Sequence, residues 1–119
     1  MAPLPLRIDR KITVVGVRDQ HLGPKCERAR ATVSIEPSDC FVLIDATGDE
    51  AALQHGYVDR FARAFLNWLA LTYSIAESGI RVTIESIEHD FESSLMAFQR
   101  AGEDAGRKMV VEVEGRPTV

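Results

Sequence analysis

Three histidines, at positions 21, 55 and 89, stand 34 residues apart in a chain of 119. Each precedes a predicted helix, in the pairs Gln20-His21, Gln54-His55 and Glu88-His89. An internal repeat would produce such spacing. The strands before them, however, end at different offsets, at Val17, Asp45 and Glu85, so the even spacing is coincidence. If those strands run parallel, the imidazoles share one rim of a sheet with Asp19, Asp45, Asp49 and Asp90. Groups converging there could hold zinc or another divalent ion, or act as general acid and base. No HxH or HExxH spacing occurs, and histidines at turns and helix starts are most often solvated. His21, His55 and His89 are therefore expected as surface residues, with no metal, cofactor or catalytic residue assigned.

Other reactive groups point the same way. Ser38, Ser86, Ser93 and Ser94 sit in no nucleophile elbow. Cys26 and Cys40 are 14 apart, lack CxxC spacing and are expected as two free thiols. A phosphate-binding loop needs closely spaced glycines before a helix. Gly48 and Gly56 are isolated, and Asp45, Asp49 and Glu50 would repel an anion.

The elements that must position these residues follow from hydrophobic periodicity. Ile12 to Val17 is a β-branched strand, followed by a turn over residues 19–24, where Pro24 suits a first helical position. Residues 25–36 read as a short crossover helix through Cys26, Ala29 and Val33, although Thr32 to Glu36 also alternates like a strand. Phe41-Val42-Leu43-Ile44 is apolar on both faces, which predicts a central, buried strand. Residues 56–78 form a long aromatic helix containing Phe61, Phe65, Trp68 and Tyr73, closed by Gly79. Ile80 to Glu85 alternates, predicting a strand with one wet face. Asp90 caps a second helix with Phe91, Leu95 and Phe98 inward, ending near Gly102 to Gly106. Lys108 to Glu114 alternates as a last strand.

This order predicts an α/β fold: a single-layered, mostly parallel sheet of four or five strands with crossover helices. Residues 1–9 are expected as a flexible leader, 10–115 as one domain and 116–119 as a frayed tail. The net charge of −4 leaves no electrostatic footprint for nucleic acid. No apolar segment is long enough to span a bilayer, and the N-terminus does not read as a signal peptide. A cytoplasmic protein is expected.

Three stretches resemble STAS or STAS-like domains, the fold of bacterial anti-sigma-factor antagonists. Phe41 to Gly48 resembles the family's hydrophobic strand ending in Asp-x-Ser/Thr-Gly. Gly56 falls where the family has a glycine opening its next helix. Gly79 to Ile84, followed by Leu95 to Gly102, resembles its strand and then its helix ending in Ala/Thr-Gly. Phosphorylatable members carry a serine just before the helix glycine, where this chain has His55. The resemblance implies a non-enzymatic, regulatory signalling module that docks through the strand-end corner.

The expected docking residues are Asp45, Thr47, His55, Tyr57 and Asp59, facing a protein partner with a basic patch. A homodimer through the aromatic helix is a further expectation. The alternatives are a small metal-dependent enzyme using the histidine rim and a structural subunit of a larger assembly.

Overall fold

Strand β1 (Ile12–Leu22) and strand β2 (Lys25–Pro37) form a long antiparallel hairpin, paired from Ile12–Ile35 to Leu22–Lys25. Along β2, Ala29, Ala31, Val33 and Ile35 fall two apart and are all buried, the period of a strand. The crossover helix expected over residues 25–36 is therefore a strand. The helix preference of Ala29 and Ala31 yields to an alternation that runs the whole segment. Residues 19–22, expected as a turn, continue β1.

The computed structural model describes residues 3–22 and 25–115. Pro24, the first two leader residues and the tail at 116–119 lie outside the described residues. The rest of the expected leader lies against the domain: Leu6 is buried, its N–H donates to Ser78 Oγ at 2.7 Å, and Ser74 N–H donates to the Leu4 carbonyl.

Strand β3 (Val42–Asp45) and strand β4 (Ile80–Glu88) complete a four-stranded sheet in the order β1-β2-β4-β3. β2 and β4 run antiparallel, with a register shift at Thr32/Val33. β3 and β4 are the parallel pair. The sheet is thus mixed, not mostly parallel, because the hairpin replaces the first crossover. β4 is internal and leaves one face wet as expected: Ile80, Val82 and Ile84 are buried while Arg81 is exposed.

The apolar run at 41–44 is not central. β3 is an edge strand, and Leu43 and Ile44 remain 45% and 36% exposed. An all-apolar run usually means cover on both faces; here the strand is short and packs against β4.

Helices α1 (Glu50–Gln54), α2 (Tyr57–Leu69) and α3 (Leu95–Val113) cover the other face of β1, β2 and β4. The aromatic helix is shorter than expected. It ends at Leu69, and a turn and a 3-10 segment, Ile75–Glu77, lead to β4. Gly79 therefore caps no helix.

Residues 108–114, expected as a strand, are the last turns of α3. Phe98, Ala101, Gly102, Ala105, Gly106 and Met109 are buried at helical spacing. The two glycines allow close approach and do not stop the helix. A Cβ on Gly102 would lie 2.4 Å from the Phe61 carbonyl oxygen, and one on Gly106 2.5 Å from Trp68 Cβ. Gly16 admits α3 on its other side in the same way: a Cβ there would lie 2.2 Å from the Ala101 carbonyl oxygen. Phe61, Phe65 and Phe98 fill the core between helices and sheet, each contributing about 1.5–3 kcal/mol by burial.

The start of α3 also differs from expectation. Ser94, not Asp90, is the N-cap, accepting from Ala97 N–H. Asp90 instead folds the preceding turn, its Oδ1 accepting from Glu92 N–H. Phe91 is thereby turned out, 93% exposed, and Leu95 is also exposed; of the three expected inward residues, only Phe98 is buried.

Candidate functional site

The corner after β3 is held by short polar contacts. Asp45 Oδ1 accepts from Thr47 N–H at 2.9 Å and from Thr47 Oγ1 at 2.7 Å. Thr47 Oγ1 accepts from Asp49 N–H. Asp49 Oδ1 then caps α1 by accepting from Ala52 N–H at 2.9 Å, and its Oδ2 lies 3.1 Å from His89 Nε2. The Ala52 amide, and after it His89, hold the Asp49 carboxyl below its usual range against the opposing effect of burial. Between α1 and α2 the chain turns at Gly56, whose φ of 80° is the left-handed conformation that glycine adopts without steric cost.

An aromatic stack sits behind this corner. The Tyr57 ring lies on Phe98 at 4.7 Å and His55 lies on Tyr57 at 5.2 Å; His89 meets Tyr57 edge-on at 5.5 Å. The Tyr57 hydroxyl donates to the Ser93 carbonyl at 3.4 Å.

The five expected docking residues therefore divide. Asp45, His55 and Asp59 are exposed, whereas Thr47 and Tyr57 are partly buried and serve to brace the corner. Asp59 pairs with Arg63 one turn along α2 at 2.8 Å. Sequence reading missed the exposed apolar groups of this region, Leu43, Ile44, Leu53, Phe91 and Leu95. No periodic signal marks them, because each lies in or beside a segment whose apolar residues read as core.

The histidine rim forms only in part. His55 and His89 come within 6.5 Å, ring centre to ring centre. His21 belongs to a separate cluster at the end of the hairpin, opposite Cys26 in the ladder. Its Nδ1 lies 3.2 Å from Cys26 Sγ and its Nε2 lies 3.4 Å from Asp19 Oδ1. Among the described residues, no group of three or more His, Cys, Asp or Glu side chains is placed to hold a metal ion.

The Cys26–His21–Asp19 line has the order of a nucleophile, a base and an orienting carboxylate, yet its electrostatics oppose a thiolate. The Glu92 carboxylate, accepting from the thiol, and burial raise the Cys26 pKa, and Arg28 only partly offsets them. A reactive cysteine needs the opposite shift. Cys26 and Cys40 are both free thiols. Arg28 gathers the acids here, reaching Asp90 at 3.2 Å and Glu92 at 3.6 Å, beside a polar cleft of about 380 Å³.

The aromatic helix spends its aromatics inward. Phe61 and Phe65 are wholly buried; beyond the end of the helix, the Tyr73 hydroxyl donates to Glu114 at 2.9 Å. With burial acting first and Glu114 second, its pKa is pushed up to about 12. Trp68, half-buried, and Leu71, exposed, lie beside a groove of about 420 Å³ between α2 and α3.

These observations define a two-layer α/β domain with a mixed sheet covered by helices on one face. Solved structures share this arrangement. A crystal structure of the protein ttk003000868 from Thermus thermophilus matches with a TM-score of 0.64 and 16% identity, over 85% of this chain. The chain spans 16% of the length of that larger one, so the likeness is to a segment of it and shows the fold. No family model matches the chain, and no curated protein does. Among the described residues, no helix is long and apolar enough to cross a membrane.

Proposed function

We propose that the chain is a non-enzymatic regulatory module of the cytoplasm that works by docking a protein partner, as STAS domains do, at the corner spanning residues 45–59. The observation that carries this reading is the corner itself. Asp45, Thr47, Asp49 and His89 are tied to one another, so the surface they frame is ordered before any partner arrives. Preorganisation of this kind lowers the entropic cost of binding.

The electrostatics support a partner with a basic patch. Residues 31–59 contain Glu36, Asp39, Asp45, Asp49, Glu50 and Asp59 and no lysine or arginine. Opposite charge across an interface chiefly raises the association rate and suppresses wrong partners. The STAS resemblance supports the reading at Phe41 to Gly48 and at Gly56. Over residues 25–36 the element order departs from it.

The test is reversal of charge at the two exposed carboxylates, Asp45→Lys with Asp59→Lys. Against a partner isolated with the wild-type protein, the double variant is expected to bind about tenfold or more weakly at low salt, with the difference shrinking as salt rises. Unchanged affinity at low salt would remove the corner from the docking surface.

A further inference from the structure

We propose that the outer edge of β3 accepts an extended, basic peptide segment of a partner as a fifth strand of the sheet. The inference rests on the docking reading for the partner's charge, and goes beyond it by naming the mode of recognition and the backbone groups that make it.

The geometry follows from the ladder. Ala46 N–H donates to the Ile84 carbonyl at 2.9 Å, and β3 runs parallel to β4 with Leu43 opposite Val82 and Ile44 opposite Thr83. In such a ladder, alternate residues direct both amide groups toward the same neighbour. Val42 and Ile44 therefore bond to β4, and Leu43 and Asp45 direct their N–H and C=O outward. The side chains alternate across the pleat: Leu43 lies on the helix side with Val82, Ile44 on the open side with Thr83. A strand laid along this edge meets main-chain donors and acceptors at Leu43 and Asp45 and an exposed apolar side chain on each face. Recognition by strand addition uses these two features together.

The opposite edge of the sheet is guarded at its middle. Val17 N–H donates to Asp104 Oδ2 at 3.0 Å, and Lys108 Nζ donates to the Val15 carbonyl at 2.8 Å. Soluble proteins commonly protect strand edges with charged groups, prolines or bulges. β1 has such protection; β3 is short but presents Leu43 and Ile44 outward.

Charge complementarity selects the occupant. Asp39 precedes the strand, Asp45 ends it, and Asp49 and Glu50 follow, in a stretch that holds no basic residue. An incoming strand with lysine or arginine at its ends is attracted, and an acidic one is repelled. A second copy of this chain would bring the same acidic stretch to the edge.

The experiment selects random peptides long enough to form one strand, displayed on phage, against the full-length protein. Enriched sequences are expected to carry a short apolar run flanked by lysine or arginine. A synthetic version of an enriched peptide should slow hydrogen exchange at the Leu43 and Asp45 amides by about tenfold. Leu43→Pro should weaken it by about tenfold or more, since the lost N–H is one that β4 does not use. Leu43→Lys, which charges the edge without altering the backbone, should also weaken a basic peptide. No enrichment, enrichment of acidic sequences, or protection confined to other elements would overturn the proposal. So would protection of Leu43 and Asp45 that grows with protein concentration in the absence of peptide, which would assign the edge to a second copy. A peptide indifferent to Leu43→Pro but lost with Asp59→Lys would keep the docking corner and remove strand addition. The reverse pattern would keep strand addition and remove the corner.

Discussion

The two edges of the sheet are built on opposite plans. β1 is long, and two of its outward main-chain groups are met by side chains of α3: Asp104 accepts from the Val17 N–H and Lys108 donates to the Val15 carbonyl. β3 is four residues long, and its apolar side chains are left partly in solvent. An edge strand is a template for any passing chain. A fold that guards the middle of one template with an acid–base pair and leaves the other unguarded makes β3 the more open of the two edges. The guarded stretch depends on how near α3 can come, which Gly16 permits.

Gly16→Val should therefore have the largest effect. Its side chain would be driven into the Ala101 carbonyl and Ala105 Cβ, 2.2 and 2.8 Å from a Cβ, and a backbone carbonyl in mid-helix cannot move aside. Overpacking of this severity costs about 3 kcal/mol, readable as a lower midpoint in urea. If the variant folds, α3 should stand off β1, and exchange at the Val17 amide should quicken. A Gly16→Val protein with wild-type stability would show that α3 is not held against β1.

A smaller effect is expected from the guard residues themselves. Asp104 is mostly covered and is held by Lys108 at 2.9 Å and by Arg107. Burial opposes its ionisation, but the Lys108 contact, the Val17 amide and the Arg107 charge outweigh it and hold its carboxyl below the usual range. A carboxyl lowered in the folded state contributes stability that is present above its unfolded pKa and lost as pH falls through the folded one. Asp104→Asn should thus flatten the acid limb of the stability profile relative to wild type, while costing about 1 kcal/mol at pH 7. Combining it with Lys108→Met should promote concentration-dependent association in sedimentation velocity. A parallel acid limb in the Asn variant would mean that Asp104 titrates as it does in the unfolded chain.

The contrast between edges also marks where sequence reading stops. The corner was legible because Asp45, Thr47 and Gly48 carry turn chemistry, and the wet face of β4 because Arg81 and Thr83 alternate with Val82 and Ile84. The edge position of β3 was not: Phe41 to Ile44 offers no polar face, and only pairing partners decide whether such a run is central. Gly102 and Gly106 misled for a related reason, since a glycine that ends a helix and one that lets another helix approach look alike without the neighbour. Asp104 and Lys108, four apart, read as a common surface pair on a helix. Their partners, Val17 and Val15, lie 87 and 93 residues away.

The smallest effect on stability should come from giving β3 the kind of charge that β1 already has. Leu43→Lys removes an apolar side chain that is 45% exposed and leaves untouched the ladder bonds of Val42 and Ile44. Its cost should fall within about 0.5 kcal/mol, so the urea midpoint should barely move while affinity for a basic, strand-forming peptide falls. Each result bears on one side of the contrast. A loss of about 2 kcal/mol or more would place Leu43 in the core, on the scale of a buried leucine, and β3 would then be a buried strand. Unchanged stability with unchanged peptide affinity would mean that the open edge is not where a partner strand docks. Only the combination of stable folding and weakened peptide binding fits an edge whose exposure serves binding rather than packing.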